Sequence, residues 1–105
     1  MIAKTPTPPY YAVIFSSLRT VEEKGYGTMG KAMVELATKQ EGFLGIESVR
    51  EELGITVSYW ESLEAIQQWK NNSQHLIAQE KEKTDWYQSF KVRIAKVERD
   101  YNFEI

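Results

Sequence analysis

Residues Val57 to Leu76 read VSYWESLEAIQQWKNNSQHL, and the fold turns on how this stretch is parsed. Through Trp60 it is rich in β-branched and aromatic residues, the composition of a strand. From Ser62 onward Leu63, Ile66 and Trp69 recur at three-residue spacing, the signature of one buried helix face. Ser62 stands at the N-cap, where its side-chain oxygen can accept a first-turn N–H. Asn72 and Ser73 are expected to interrupt that helix, with a second helical piece running from Gln74 toward Trp86. Successive strand side chains alternate, so Tyr59 and Trp60 must face opposite sides of the sheet.

Working outward, EGFLGIESVREE upstream reads as a strand with Leu44 and Ile46 on one face and Phe43 and Val49 on the other. A turn over Glu52 to Gly54 makes it a hairpin with the strand from Ile55 to Trp60. Before it, Met29, Met33, Leu36, Ala37 and Gln40 recur at spacings of three and four, an amphipathic helix that stops at Gly42. The glycines of GYGTMG at its start read as letting the helix begin close against a neighbouring strand. They lack the parallel βαβ unit and the acidic residue that a dinucleotide site requires. Tyr10 to Ser17 is apolar on both faces, with Tyr11, Val13 and Phe15 opposite Tyr10, Ala12 and Ile14, and reads as a central strand. SFKVRIAKVERDYNF closes the chain as a long strand with Phe90, Val92 and Ile94 on one face and Lys91, Arg93 and Ala95 on the other.

The order is strand, helix, strand, strand, helix, strand. It predicts an α+β, ferredoxin-like βαββαβ domain over residues 10–105, a four-stranded antiparallel sheet with both helices on one face. Residues 1–9, rich in Pro and Thr, form an N-terminal arm. The second sheet face has no helix to cover it, although Phe43, Val49 and Val97 need burial there, and a second copy of the chain is the expected cover. A homodimer is the expected assembly.

Composition excludes several classes. The chain has 105 residues, 42 % hydrophobic and 27 % charged, which suits one globular domain. No apolar run reaches a membrane-spanning length, and the start lacks the apolar core of a signal peptide, so a cytoplasmic protein is expected. With no cysteine, disulfides, thiolate metal sites and cysteine nucleophiles are absent. One histidine and no carboxylate cluster at ligand spacing leave no metal site to expect. The net charge of -2, without a basic stripe, argues against nucleic acid as a partner.

The candidate site residues follow from chemistry. His75 is the only side chain whose ordinary pKa lies near neutrality, hence the natural general base. Gln79 lies one turn further along the same helical face. Trp60, Trp69 and Trp86 can line an aromatic pocket for a flat small molecule, their indole N–H groups serving as donors. Trp69 is also spaced to act as the knob that packs the helix onto the sheet.

GFLG at the second strand, YWES at the end of the third, LEAIQQW, and KNNSQHLIAQ together resemble the antibiotic biosynthesis monooxygenase family, from about Tyr10 to Tyr101. The resemblance implies two ferredoxin-like subunits joined sheet to sheet as a dimeric α+β barrel, with a pocket between helices and sheet in each. It also implies oxygenase chemistry on a small planar aromatic substrate. In the haem-degrading branch a tryptophan on the helix matches Trp69. Where that branch has its histidine ligand this chain has Gln79, and the first strand AVIFSS has no asparagine, so histidine-ligated haem is not expected and no cofactor is. In the quinone-forming branch the asparagine and tyrosine positions are here Thr56 and Ile66, and only Trp60 carries over. The missing groups leave two alternatives open, a non-catalytic small-ligand-binding dimer of the same fold and a divergent haem-binding member.

Overall fold

The computed structural model describes residues 1–21, 26–78 and 86–105, without the side chains of 75–78. Its elements are β1 (Tyr10–Arg19), α1 (Tyr26–Thr38), β2 (Phe43–Arg50), β3 (Leu53–Trp60), α2 (Leu63–Ala78) and β4 (Tyr87–Val97). The four strands form one antiparallel sheet in the order β2-β3-β1-β4. This is the expected ferredoxin-like arrangement. The closing strand ends at Val97 and does not continue to Phe103, and beyond its end Asp100 accepts from the Tyr10 hydroxyl.

Ser62 caps α2 as its position predicts, accepting the Ala65 N–H at 3.0 Å. Beyond it the helix departs from expectation, running unbroken for 16 residues through Asn72 and Ser73. Both residues find partners that leave the backbone helical. The Asn72 amide donates to Gln40 Oε1 at 2.7 Å, tying α2 to the segment after α1, and the Ser73 hydroxyl donates to the Lys70 carbonyl at 3.0 Å. There is no second helix start at Gln74, and the backbone N–H groups there belong to the helix interior.

At the end of α1, Gly42 has φ +86°, a conformation that disfavours any side chain, and a Cβ there would lie 2.6 Å from the Ala65 Cβ. The turn is thus pressed against the start of α2, and the Glu61 N–H closes it by donating to the Gly42 carbonyl at 2.8 Å. Gly27 and Gly30 do the opposite of what the sequence suggests. A Cβ at either meets nothing within 4 Å, so these two glycines are not what lets α1 begin near a strand; that contact is made by the Tyr26 ring on Tyr87.

A β-bulge corrects the reading of β2. Phe43 pairs with Trp60 and Gly45 with Tyr59, leaving Leu44 as the extra residue. That extra residue reverses the alternation. Phe43 therefore faces the helices, its ring edge-on to Trp60 at 5.4 Å, and does not share the outer face with Val49.

The core lies between the helices and the Trp60 end of the sheet. Trp60, wholly inaccessible at 0 %, joins Ala37, Ala65 and Ile66, with Tyr11, Val13, Phe43 and Trp69 packed around them. On the outer face Tyr59 meets Tyr10 edge-on, and its hydroxyl donates to Glu47 at 2.6 Å. The N-terminal arm lies here too, the Ala3 N–H donating to the same carboxylate at 2.9 Å. Burial and the Glu47 hydrogen bond push the Tyr59 phenol up to about 12, while the hydrogen bonds from Tyr59 and Ala3 hold Glu47 below its usual value. Past the arm, Leu18, Val49 and Leu53 are exposed on this face. No described helix is long and apolar enough to cross a membrane.

Candidate functional site

Directly paired residues of antiparallel strands share a face, so the register maps the helix side of the sheet. Starting from the Trp60 end, one row holds Phe43, Trp60, Tyr11 and Lys96, and the next holds Ile46, Ser58, Val13 and Ile94. A third holds Ser48, Thr56, Phe15 and Val92, and a fourth Arg50, Gly54, Ser17 and Phe90. The helices pack mainly on β2 and β3. Over β4 the face stays open, with Phe90 60 %, Ile94 53 % and Val92 48 % exposed.

The third and fourth rows make a polar floor. Ser48 Oγ and Thr56 Oγ1 share a hydrogen bond at 3.0 Å. The Arg50 guanidinium lies back over Gly54 and donates to the buried Ser17 hydroxyl. Aromatic rings wall this end. Phe15 lies 5.5 Å from both Tyr87 and Phe90, and Tyr26 at the start of α1 meets Tyr87 at 5.9 Å and Trp86 at 5.7 Å. The Arg19 guanidinium stacks 3.4 Å over the Tyr26 ring. Burial pushes the Tyr87 phenol well above its usual range and the Tyr26 hydrogen bond adds to this, while Arg50 and Arg19 act against it. Two cations therefore bear on this corner of the sheet.

The three tryptophans divide between the two ends. Trp60 is sealed in the core with its indole N–H donating to Ser58 Oγ at 2.9 Å, and half-buried Trp69 stacks on it at 5.8 Å and 23°. Trp86 is buried at the other end, where its carbonyl accepts the Thr20 N–H. Along β1 the two ends are roughly 30 Å apart at ~3.3 Å per residue. His75 lies within α2, with its side chain outside the described part, and Gln79 lies outside the described residues.

Arg50, Ser17, Ser48, Thr56, Tyr26 and Tyr87 did not emerge as site residues from the sequence. A signal for part of them was present. Ser48 and Arg50 on one strand, and Thr56 and Ser58 on the next, put polar groups at alternate positions on a face that helices should make apolar. The bulge at Leu44 moves only Phe43, so Ser48 and Arg50 share the Ile46 face by simple alternation, and the signal could have been read from it.

Among the described residues no three His, Cys, Asp or Glu side chains come together as metal ligands. The described part of the open face offers hydroxyls, phenols and guanidinium, with no imidazole or thiolate for haem iron.

The antibiotic biosynthesis monooxygenase family matches residues 9–81. An uncharacterised protein of Bacillus subtilis strain 168, YqjZ, is 52 % identical, with 98 % of this chain and 92 % of that protein covered. Among solved structures, PA3566 from Pseudomonas aeruginosa superposes with TM-score 0.68 at 14 % identity, covering 91 % of this chain and 99 % of that one. A mutant of SnoaB, a cofactor-independent oxygenase from Streptomyces nogalater, superposes at 0.67 and 7 % identity over 87 % of this chain and 95 % of that one. A MhuD mutant with two manganese protoporphyrin IX molecules bound per active site superposes at 0.64 and 21 % identity over 89 % and 99 %. At these identities the superpositions speak for the fold alone.

Proposed function

Because this chain belongs to the antibiotic biosynthesis monooxygenase family, we propose that it is an oxygenase that takes a small planar aromatic substrate between the helices and the sheet. The observation that carries this reading is the open helix-side face, a floor of hydroxyls and one guanidinium with aromatic rings at its ends. A flat phenol can lie on such a face, with its polar edge toward the hydroxyls and its ring against Phe15 and Phe90.

In this reading His75 is the general base. It takes the phenol proton, and the phenolate lying on that face then yields electrons to dioxygen. A phenol and dioxygen balance against a quinone and water, so no other reductant is needed. Trp86 backs Tyr26 at the Phe15 and Phe90 end where the ring lies, Trp69 backed by Trp60 stands at the far end of the same face, and Gln79 is assigned a substrate contact. The unit of function is a homodimer joined through the outer sheet faces.

A second reading, a non-catalytic binder of the same ligands, is favoured by how the two quinone-branch positions are used. Thr56 is occupied with Ser48, and Ile66 is buried in the core. Oxygen uptake over a panel of uncharged naphthols and hydroquinones separates the two. The oxygenase reading expects uptake with quinone formation, reduced at least about tenfold in His75→Gln, within the range by which acid–base groups contribute. Binding of the panel without oxygen consumption would establish the second reading.

A further inference from the structure

The Arg50 side chain is placed by three features that have no use in a plain core. Gly54 opposite it has no side chain, and a Cβ there would collide with the guanidinium. Ser17, across the next strand in the same row and 2 % exposed, accepts from it. Glu51 and Glu52 follow Arg50 in the hairpin turn, both exposed, yet the side chain lies back over the sheet. Among the described residues no carboxylate pairs with it. Among the described residues the half-buried guanidinium thus has a neutral hydroxyl for its partner, without the counter-charge that normally offsets its desolvation. Phe90, the fourth residue of its row, and Phe15 in the next row set apolar ring surface beside it.

We infer that Arg50, laid over Gly54 and held by Ser17, anchors the carboxylate of the ligand, so that the site takes planar aromatic carboxylic acids whose ring lies on the Phe15 and Phe90 side. The inference rests on the reading of the helix-side face as the ligand site. The planar guanidinium keeps further N–H donors that suit a carboxylate edge, and a charge-assisted hydrogen bond is the strong kind. The Tyr26 and Tyr87 pair closes the same corner, and Arg19 adds to its positive potential.

The test is to titrate the full chain with 2-naphthoate and with its uncharged isostere 2-naphthamide, following backbone amide shifts by NMR. Wild type is expected to bind the carboxylate about tenfold more tightly or better, the size of one charge-assisted hydrogen bond. Arg50→Met is expected to erase that preference by lowering naphthoate affinity far more than naphthamide affinity, and Arg50→Lys to restore part of it. Gly54→Ala, which puts a methyl group where the guanidinium lies, is expected to weaken the preference with Arg50 still present. It serves as the second variant should Arg50→Met fail to fold. Equal affinities in wild type, no binding of either compound at millimolar concentration, or a preference that survives Arg50→Met would overturn the assignment. The oxygen-uptake panel is uncharged, so a failure of oxygenase activity there and a failure of carboxylate preference here are separate results.

Discussion

Trp60 is the most deeply buried of the described side chains in the Val57 to Leu76 stretch, wholly inaccessible and packed against Phe43, Trp69 and the core alanines. Trp60→Ala should therefore cost about 3–5 kcal/mol, as expected for a large-to-small change in a packed core. Half-buried Trp69 should cost less on the same substitution. Urea denaturation of the two variants checks the order, and a larger loss at Trp69 would contradict it. Spacing alone pointed to Trp69 as the knob, because periodicity identifies a face and not how deeply each residue on it is sunk. Tyr59, one residue away and on the other face, makes a different prediction. Its phenol titrates near 10.0 when free and at about 12 in the folded protein, where burial and Glu47 favour the neutral form. The folded state holds that proton more tightly, so this contribution to stability is complete below pH 10.0 and is lost as pH rises through about 12. Tyr59→Phe should flatten the alkaline fall in the urea midpoint relative to wild type. Glu47 has the opposite sign: its lowered pKa adds stability above 4.5 that disappears as pH falls below that value.

At the scale of elements, α2 is unbroken because Asn72 spends its amide on Gln40 and not on its own backbone. Asn72→Ala should then lower stability by about 0.5–1.5 kcal/mol, one hydrogen bond's worth, and leave the helical circular dichroism unchanged. A loss of helical signal would mean that the contact holds the helix together. The turn after α1 depends on Gly42 for both its φ and its closeness to Ala65. Gly42→Ala should cost more than the roughly 1–2 kcal/mol of a left-handed residue alone, since the methyl also meets the Ala65 Cβ. Gly27→Ala, in open space within α1, should instead stabilise by about 0.5–1 kcal/mol through helix propensity. Thermal melts of the two alanine variants, expected to move in opposite directions, check both.

For the whole molecule, the sheet is covered unevenly. The helices bury the Trp60 end of one face, and the arm covers the Tyr10 and Glu47 end of the other. Leu18, Val49 and Leu53 stay exposed on the outer face, with Ile14, Ile55 and Val57 half-buried beside them. That contiguous apolar surface supports the homodimer reading. Sedimentation at micromolar concentration should give a dimer, and Leu53→Asp combined with Leu18→Asp should shift it to monomer. A compact, folded wild-type monomer under those conditions would rule out the assembly.

The element order, the antiparallel pairing, the helix cap at Ser62 and the two-sided burial of β1 follow from the sequence alone. Each depends on local chemistry or on periodicity, which a linear string records directly. The side of the sheet that Phe43 faces, the continuity of α2, and the meeting of Arg50, Gly54 and Ser17 were decided only in the folded chain. A single extra residue at Leu44 reverses the alternation without changing the composition that marks β2 as a strand. Gln40 and Asn72, or Arg50 and Ser17, are far apart in sequence, and nothing local to either residue of a pair encodes its partner. The candidate anion site belongs to this second class, because its residues come from three strands and share a place only once the register is set.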